Sequence, residues 1–316
     1  MISKIEKTFP LVIIVVSALA IFSPELFLWI KPHIPMFLGI VMFSIGLTLE
    51  TGDFVKVFSL RWQIAALAIL KYLIMPILAY LIAVVFGLSQ TDFMGLIIIS
   101  ACPGGTAAAV MSYLSKSNVV LTVVLTLLTT LLSPIVTPII IYVFLHKYVP
   151  IPLTQIASTI FWIVLFPLFD GLVLRRLLGK KVEAIKPVLP LVSMTAITLL
   201  IACIVAMNHQ NILALPFLAG FAVLTDNLLG LTIGYSIAKK LFGFNAKNCR
   251  SVAFEFGILD TGMAVVLATK FFGVATALCG ALFSAIQNVT GACLVRVLQS
   301  DSQHLNIRRK DHEATQ

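Results

Sequence analysis

Cys102-Pro103-Gly104-Gly105-Thr106 interrupts one long apolar run of this chain, and Glu255-Phe256-Gly257-Ile258-Leu259-Asp260-Thr261-Gly262 interrupts another about 155 residues later. Proline and glycine break helices, and a bilayer offers no water to the backbone groups they free. A broken helix at membrane depth survives only where it is buried in protein or lines a polar cavity. Two breaks at matching places in two halves of a chain predict one polar site built between them.

The surrounding composition fixes the solvent. Of the 316 residues 60% are hydrophobic and 11% charged, and the mean hydropathy is +1.07, values that exclude a soluble enzyme. Windows of about 20 mostly apolar residues, enough to span a bilayer, recur ten times: 9–29, 33–50, 62–86, 93–115, 118–146, 154–178, 187–207, 211–241, 247–270 and 273–298. The fold class is therefore an all-α integral membrane protein in contact with membrane lipid. Lys4 and Lys7 before the apolar Leu11 to Phe22 look like a signal peptide, but no small-residue cleavage site precedes Pro24, so this segment is read as the first span. From Gln299 onward the charged tail reads as solvated and too short to form a domain.

Basic residues set the orientation. With a cytoplasmic N-terminus, eighteen of the 22 Lys and Arg fall on the cytoplasmic side, among them Lys56, Arg61, Lys116, the run from Arg175 to Lys186, and Lys239 to Arg250. Only Lys31, Lys147 and Lys270 fall opposite, and Lys71 lies inside a span, so both termini are expected in the cytoplasm. The same distribution explains the pI of about 9.4 without nucleic acid, because the charge sits in short loops. Cys102, Cys203, Cys249, Cys279 and Cys293 show no metal-binding or disulfide spacing, and no metal or cofactor is expected.

An offset of 155 carries Cys102 onto Gly257 and Lys71 onto Asp226, so five spans recur as five. An odd number of spans inverts the second copy, which divides the chain into repeats over 1–150 and 151–298 with a tail over 299–316. Pro103, Gly104, Gly105 and Gly257 then supply the unwound backbone of two discontinuous helices that cross near the midplane, an arrangement found in secondary transporters.

Function is sought at the interior ionisable residues, since a charge at mid-bilayer is kept when it is paired or faces a polar cavity. These are Lys71, Asp226, Glu255 and Asp260. Lys71 lies about one turn before Pro76, too deep to snorkel easily, and must find a carboxylate partner or lose its proton. Glu255 and Asp260 flank the second break, where freed carbonyls add oxygen ligands; together these groups have the chemistry of a cation or proton-coupling site. The plainer reading of Lys71 is a buried pair that fixes helix packing, and of Asp226 a hydrogen bond to a neighbouring helix.

The chain resembles the bile acid:sodium symporter family, in its bacterial ten-helix branch. The resemblance runs from Ile34-Pro35 and Met42 to Leu49, through Cys102 to Thr106 with Asn118, Ser133-Pro134 and Thr137-Pro138, to Glu255-Phe256-Gly257 and Ser284 to Gly291. It implies a panel domain and a core domain, the core holding the crossed broken helices, in the inner, cytoplasmic membrane. It also implies secondary transport of a small organic anion by alternating access, with Thr106 and Asn288 facing the substrate. Gln287, beside Asn288, is a further candidate contact, with helix-to-helix hydrogen bonding as its plainer role.

Departures from the family pattern bear on coupling. Ala108 and Ala109 stand where the family usually has a serine and an asparagine, while Thr122, Thr126 and Glu255 keep part of the first sodium site. At the second site Leu259 replaces a glutamine, Lys71 a third-span glutamine and Asp260 an asparagine. Sodium favours several hard oxygen ligands, and these changes remove amides while adding an ammonium. The expectation is that Lys71 acts as a tethered cation neutralised by Asp260 or Glu255, and that the transporter is proton-coupled or sodium-independent. The helix opening after Gly104-Gly105 is expected to offer unpaired N–H groups to an anionic substrate, since the spans carry no arginine to clamp one. Sodium-coupled symport of bile-acid-like or pantoate-like compounds and cation/proton antiport are the alternative transport readings. A membrane enzyme is disfavoured because His33, His146, His209, His304 and His312 all fall at loops or ends.

Overall fold

The computed structural model describes residues 12, 15–48, 60–179, 181–185, 188–207, 209 and 217–314, with backbone alone for 183, 184, 190, 204 and 299–314. Lys4, Lys7, Lys56, Lys180, Lys186 and the side chains of the tail lie outside the described residues. Every regular element described is a helix: α1 (Ile34–Thr48), α2 (Arg61–Val85), α3 (Gln90–Ser100), α4 (Ala107–Leu114), α5 (Val119–Leu145), α6 (Leu153–Leu178), α7 (Leu189–Met207), α8 (Phe217–Lys240), α9 (Ala246–Gly257), α10 (Thr261–Phe271) and α11 (Ala277–Ala314). Shorter turns at Glu25–Leu28 and Lys31–His33 lead into α1. The windows at 93–115 and 247–270 each become two helices, α3–α4 and α9–α10, as their central glycines predict. The backbone of 299–314 prolongs α11 without a break.

Among the described residues, six helices are long and apolar enough to cross a membrane: Glu25–Thr48, Arg61–Val85, Val119–Leu145, Leu153–Leu178, Phe217–Lys240 and Ala277–Leu298. Their outer faces carry large exposed apolar side chains such as Trp62, Val85, Leu177 and Phe217, which lipid accommodates and water would not.

Local chemistry sets the helix ends. Ser89, Asn118, Asn245 and Asp260 each accept the backbone N–H of the third residue of α3, α5, α9 and α10. Asn118 also donates from Nδ2 to Asn248 Oδ1 at 2.9 Å, tying the start of α5 to α9. Inside α5, Pro134 has no N–H for the Thr130 carbonyl, and the Ser133 hydroxyl donates to that oxygen instead, at 2.7 Å.

The helices pack in two groups. One consists of α1, α6 and α7, with α1 and α6 meeting backbone to backbone at Gly46 and Gly171; a Cβ at Gly46 would strike the Leu168 carbonyl. The other surrounds the two interrupted helices, with α8 along α9, α10 against α11, and α9 against α4 and α5. Between the groups lies a cavity of about 230 Å³ that reaches both breaks.

Candidate functional site

The two interruptions lie against each other as a short antiparallel bridge between Gly104 and Leu259. The Gly105 N–H donates to the Ile258 carbonyl at 2.8 Å, and the Asp260 N–H donates to the Pro103 carbonyl at 2.9 Å. Side chains take up most of the remaining freed groups. Thr137 Oγ1 donates to the Ala101 carbonyl at 2.7 Å, and Asn227 Nδ2 to the Gly257 carbonyl at 2.6 Å. Gln287 brackets Leu259, accepting its N–H at 2.9 Å and donating to its carbonyl at 3.2 Å. Gln287 therefore plays the helix-to-helix role of its plainer reading, although it also borders the smaller cavity described below. The two glycines themselves carry no orphan donor: the Gly105 N–H is bonded across the bridge, and the Gly104 N–H donates to Thr129 Oγ1 at 3.3 Å. A bilayer interior makes such orphan donors costly, and each break supplies acceptors for the other.

Behind the bridge sits an ion pair. Lys71 Nζ on α2 lies 3.1 Å from Glu255 Oε1 on α9, and both side chains are 1% exposed. Thr126 Oγ1 donates to Glu255 Oε2 at 2.5 Å, and Thr129 Oγ1 donates to Oε1 at 3.1 Å. The carboxylate thus receives an ammonium and two hydroxyls, a set that offsets the desolvation of a buried charge. Glycine at 104 is a packing requirement, because a Cβ there would run into this carboxylate.

The structure chooses between the two carboxylates offered to Lys71 and rearranges part of the surrounding cluster. Lys71 pairs with Glu255, the carboxylate of the first site, whereas Asp260 accepts the Met263 N–H at 3.0 Å and caps α10. Thr122 is turned away: its hydroxyl is 2.7 Å from that of Ser112 and bonds the Asn118 carbonyl, so it does not reach Glu255. Thr129 takes a place that sequence reasoning overlooked. The signal was present, since Thr126 and Thr129 are three apart and share a face of α5. Asp226 is fully buried apart from this cluster; its Oδ2 is 3.5 Å from the Ser100 hydroxyl, and its Oδ1 has no partner.

Thr106, Ala109, Thr126, Asp260 and Asn288 all border the large cavity, and a second cavity of about 40 Å³ adjoins it along Ser284 and Gln287. Lys71 and Glu255 border neither. Asn288 Nδ2 donates to the Ser284 carbonyl at 2.7 Å, and among the described residues Asn288 Oδ1 is buried without a partner, as is the Ser284 hydroxyl. Among the described residues no group of three or more His, Cys, Asp or Glu could hold a metal ion.

Residues 35–215 match the model of the Sodium Bile acid symporter family. Over 288 residues the chain is 35% identical to a protein named "Uncharacterized sodium-dependent transporter YocS" from Bacillus subtilis (strain 168), covering 91% of this chain and 89% of that one. It is 28% identical over 295 residues to "Probable sodium/metabolite cotransporter BASS1, chloroplastic" from Oryza sativa subsp. japonica, covering 92% of this chain and 72% of the relative. A third relative from the same plant, "Probable sodium/metabolite cotransporter BASS3, chloroplastic", is 30% identical over 288 residues, with 90% and 68% covered.

Proposed function

The chain belongs to the sodium bile acid symporter family, and from that premise we propose that it is a secondary transporter of a small organic anion, working by alternating access without two-sodium coupling. In this reading ten spans cross the inner membrane as two inverted repeats of five, with both termini cytoplasmic. The group α1, α6 and α7 is the panel, the helices around the breaks are the core, and relative movement of the two opens the intervening cavity to either side in turn.

The observation that carries the reading is the Lys71 ammonium 3.1 Å from Glu255. A cation bound by the Glu255 carboxylate and the Thr126 and Thr129 hydroxyls would occupy space that the lysine already fills, and a second positive charge there meets like-charge repulsion. Coupling is then to a proton or absent. Initial uptake in proteoliposomes, measured against sodium concentration at fixed pH and membrane potential, tests this. The expected rate is unchanged when potassium or choline replaces sodium. Restoring Lys71→Gln, Ala108→Ser, Ala109→Asn, Leu259→Gln and Asp260→Asn together is expected to create sodium dependence. Sodium-coupled symport is the second reading, favoured by the word "sodium-dependent" in the name of the Bacillus relative. A saturable sodium requirement in the unmodified protein would establish that reading and remove Lys71 from the coupling role.

A further inference from the structure

The cavity between the two helix groups carries one charge. Among the described residues that line it and its smaller neighbour, Asp260 is the single charged side chain, and it borders both spaces while 7% exposed. Lys71 acts on Asp260 from a distance, but its ion pair and hydrogen bond go to Glu255, and it does not border either cavity. Asn288 shares both cavities with Asp260 and is 3% exposed. Its orientation follows from its own hydrogen bond, since only Nδ2 can donate to the Ser284 carbonyl; the atom left over, Oδ1, is an acceptor without a donor. The Ser284 hydroxyl, also unpartnered, belongs to the same wall. A purely anionic ligand would bring a like charge toward Asp260 and leave the Asn288 acceptor unfilled, and both effects disfavour binding in an enclosed apolar space.

We propose that Asp260 and Asn288 receive the ammonium group of the transported molecule, whose substrate class is the small aliphatic α-amino acids in zwitterionic form. The inference rests on the transport reading above and narrows its organic acid to one that also carries an amine. An ammonium has three donors and one positive charge, which answers the carboxylate and the amide oxygen together. The substrate carboxylate falls to the start of α4, where Thr106 at the N-cap makes no side-chain capping bond and the helix presents its positive end. Met42, Ile45, Val110, Leu127 and Ile197 surround the remaining volume with apolar surface suited to an aliphatic side chain.

The test uses the full chain in proteoliposomes and three matched pairs, alanine, valine and leucine, each against its 2-oxo analogue. Members of a pair differ only in amine against carbonyl. The expected result is uptake of at least one amino acid about tenfold or more above its 2-oxo partner, a difference worth about 1.4 kcal/mol. Asp260→Asn keeps an oxygen for the Met263 N–H, so α10 remains capped, and the variant is expected to lose the preference through slower amino-acid uptake. Equal or greater uptake of the 2-oxo acids, unaltered by Asp260→Asn, overturns the proposal while leaving the transport reading intact. Altered sodium or proton dependence in Asp260→Asn with an unaltered preference also overturns it, assigning Asp260 to an inorganic cation. If neither these pairs nor other small organic acids are taken up, the transport reading itself fails and the proposal with it.

Discussion

Two polar regions adjoin the same backbone bridge, and they differ in completeness. At the Lys71–Glu255 pair both carboxylate oxygens have partners from within the protein, drawn from α2 and α5. At the cavity, Asn288 Oδ1 and the Ser284 hydroxyl have none among the described residues, while Asp260 accepts the Met263 N–H and Lys71 gives its ion pair to Glu255. Buried polar groups are nearly always satisfied, so the unpartnered groups that border the cavity call for a donor from a ligand or water. In the readings proposed above, the difference separates the element that replaces an ion from the element that receives cargo.

Breaking the closed set gives the largest effect. Lys71→Gln leaves Glu255 buried without its counter-charge and is expected to lower stability by about 3–5 kcal/mol. The double variant Lys71→Gln with Glu255→Gln should recover most of that loss. Thermal unfolding of the purified protein in detergent checks both, and a single variant as stable as the double would mean that the pair is no closed unit. Thr126→Val removes one hydrogen bond to a charged group, an expected loss of about 1.5–3 kcal/mol. Its uptake should fall together with its melting temperature, and an unchanged melting temperature would remove Thr126 from the set. Thr122→Val is the smallest of the three, about 1 kcal/mol, because Thr122 bonds Ser112 and a backbone carbonyl away from Glu255. Urea-free thermal scans of both threonine variants side by side rank them, and a larger loss at Thr122 would reverse the assignment.

Much of this was legible in the chain. The glycines and prolines of 102–106 and the polar stretch of 255–262 announced the two interruptions, and the helices on either side begin and end close to the apolar windows. Lys71 was identifiable as a buried cation because nothing within reach along α2 could hydrate it. Its partner was not. Glu255 and Asp260 are five residues apart in sequence, and no periodicity states which one faces α2; the structure separates them by giving Asp260 to the cap of α10. Thr122 and Thr126 likewise share a helical face, yet only Thr126 reaches the carboxylate.

The sequence alone determined that the chain is a membrane protein, where its long apolar helices run and where two of its apolar runs break, because those follow from local apolar length and from backbone groups that a bilayer cannot hydrate. The tertiary structure decided the rest: Lys71 and Glu255 are 184 residues apart, and the Gly104–Leu259 bridge joins breaks from different halves. Such pairings depend on how helices distant in the chain rotate and slide against one another, and a one-residue turn of α9 would point a different side chain at the lysine.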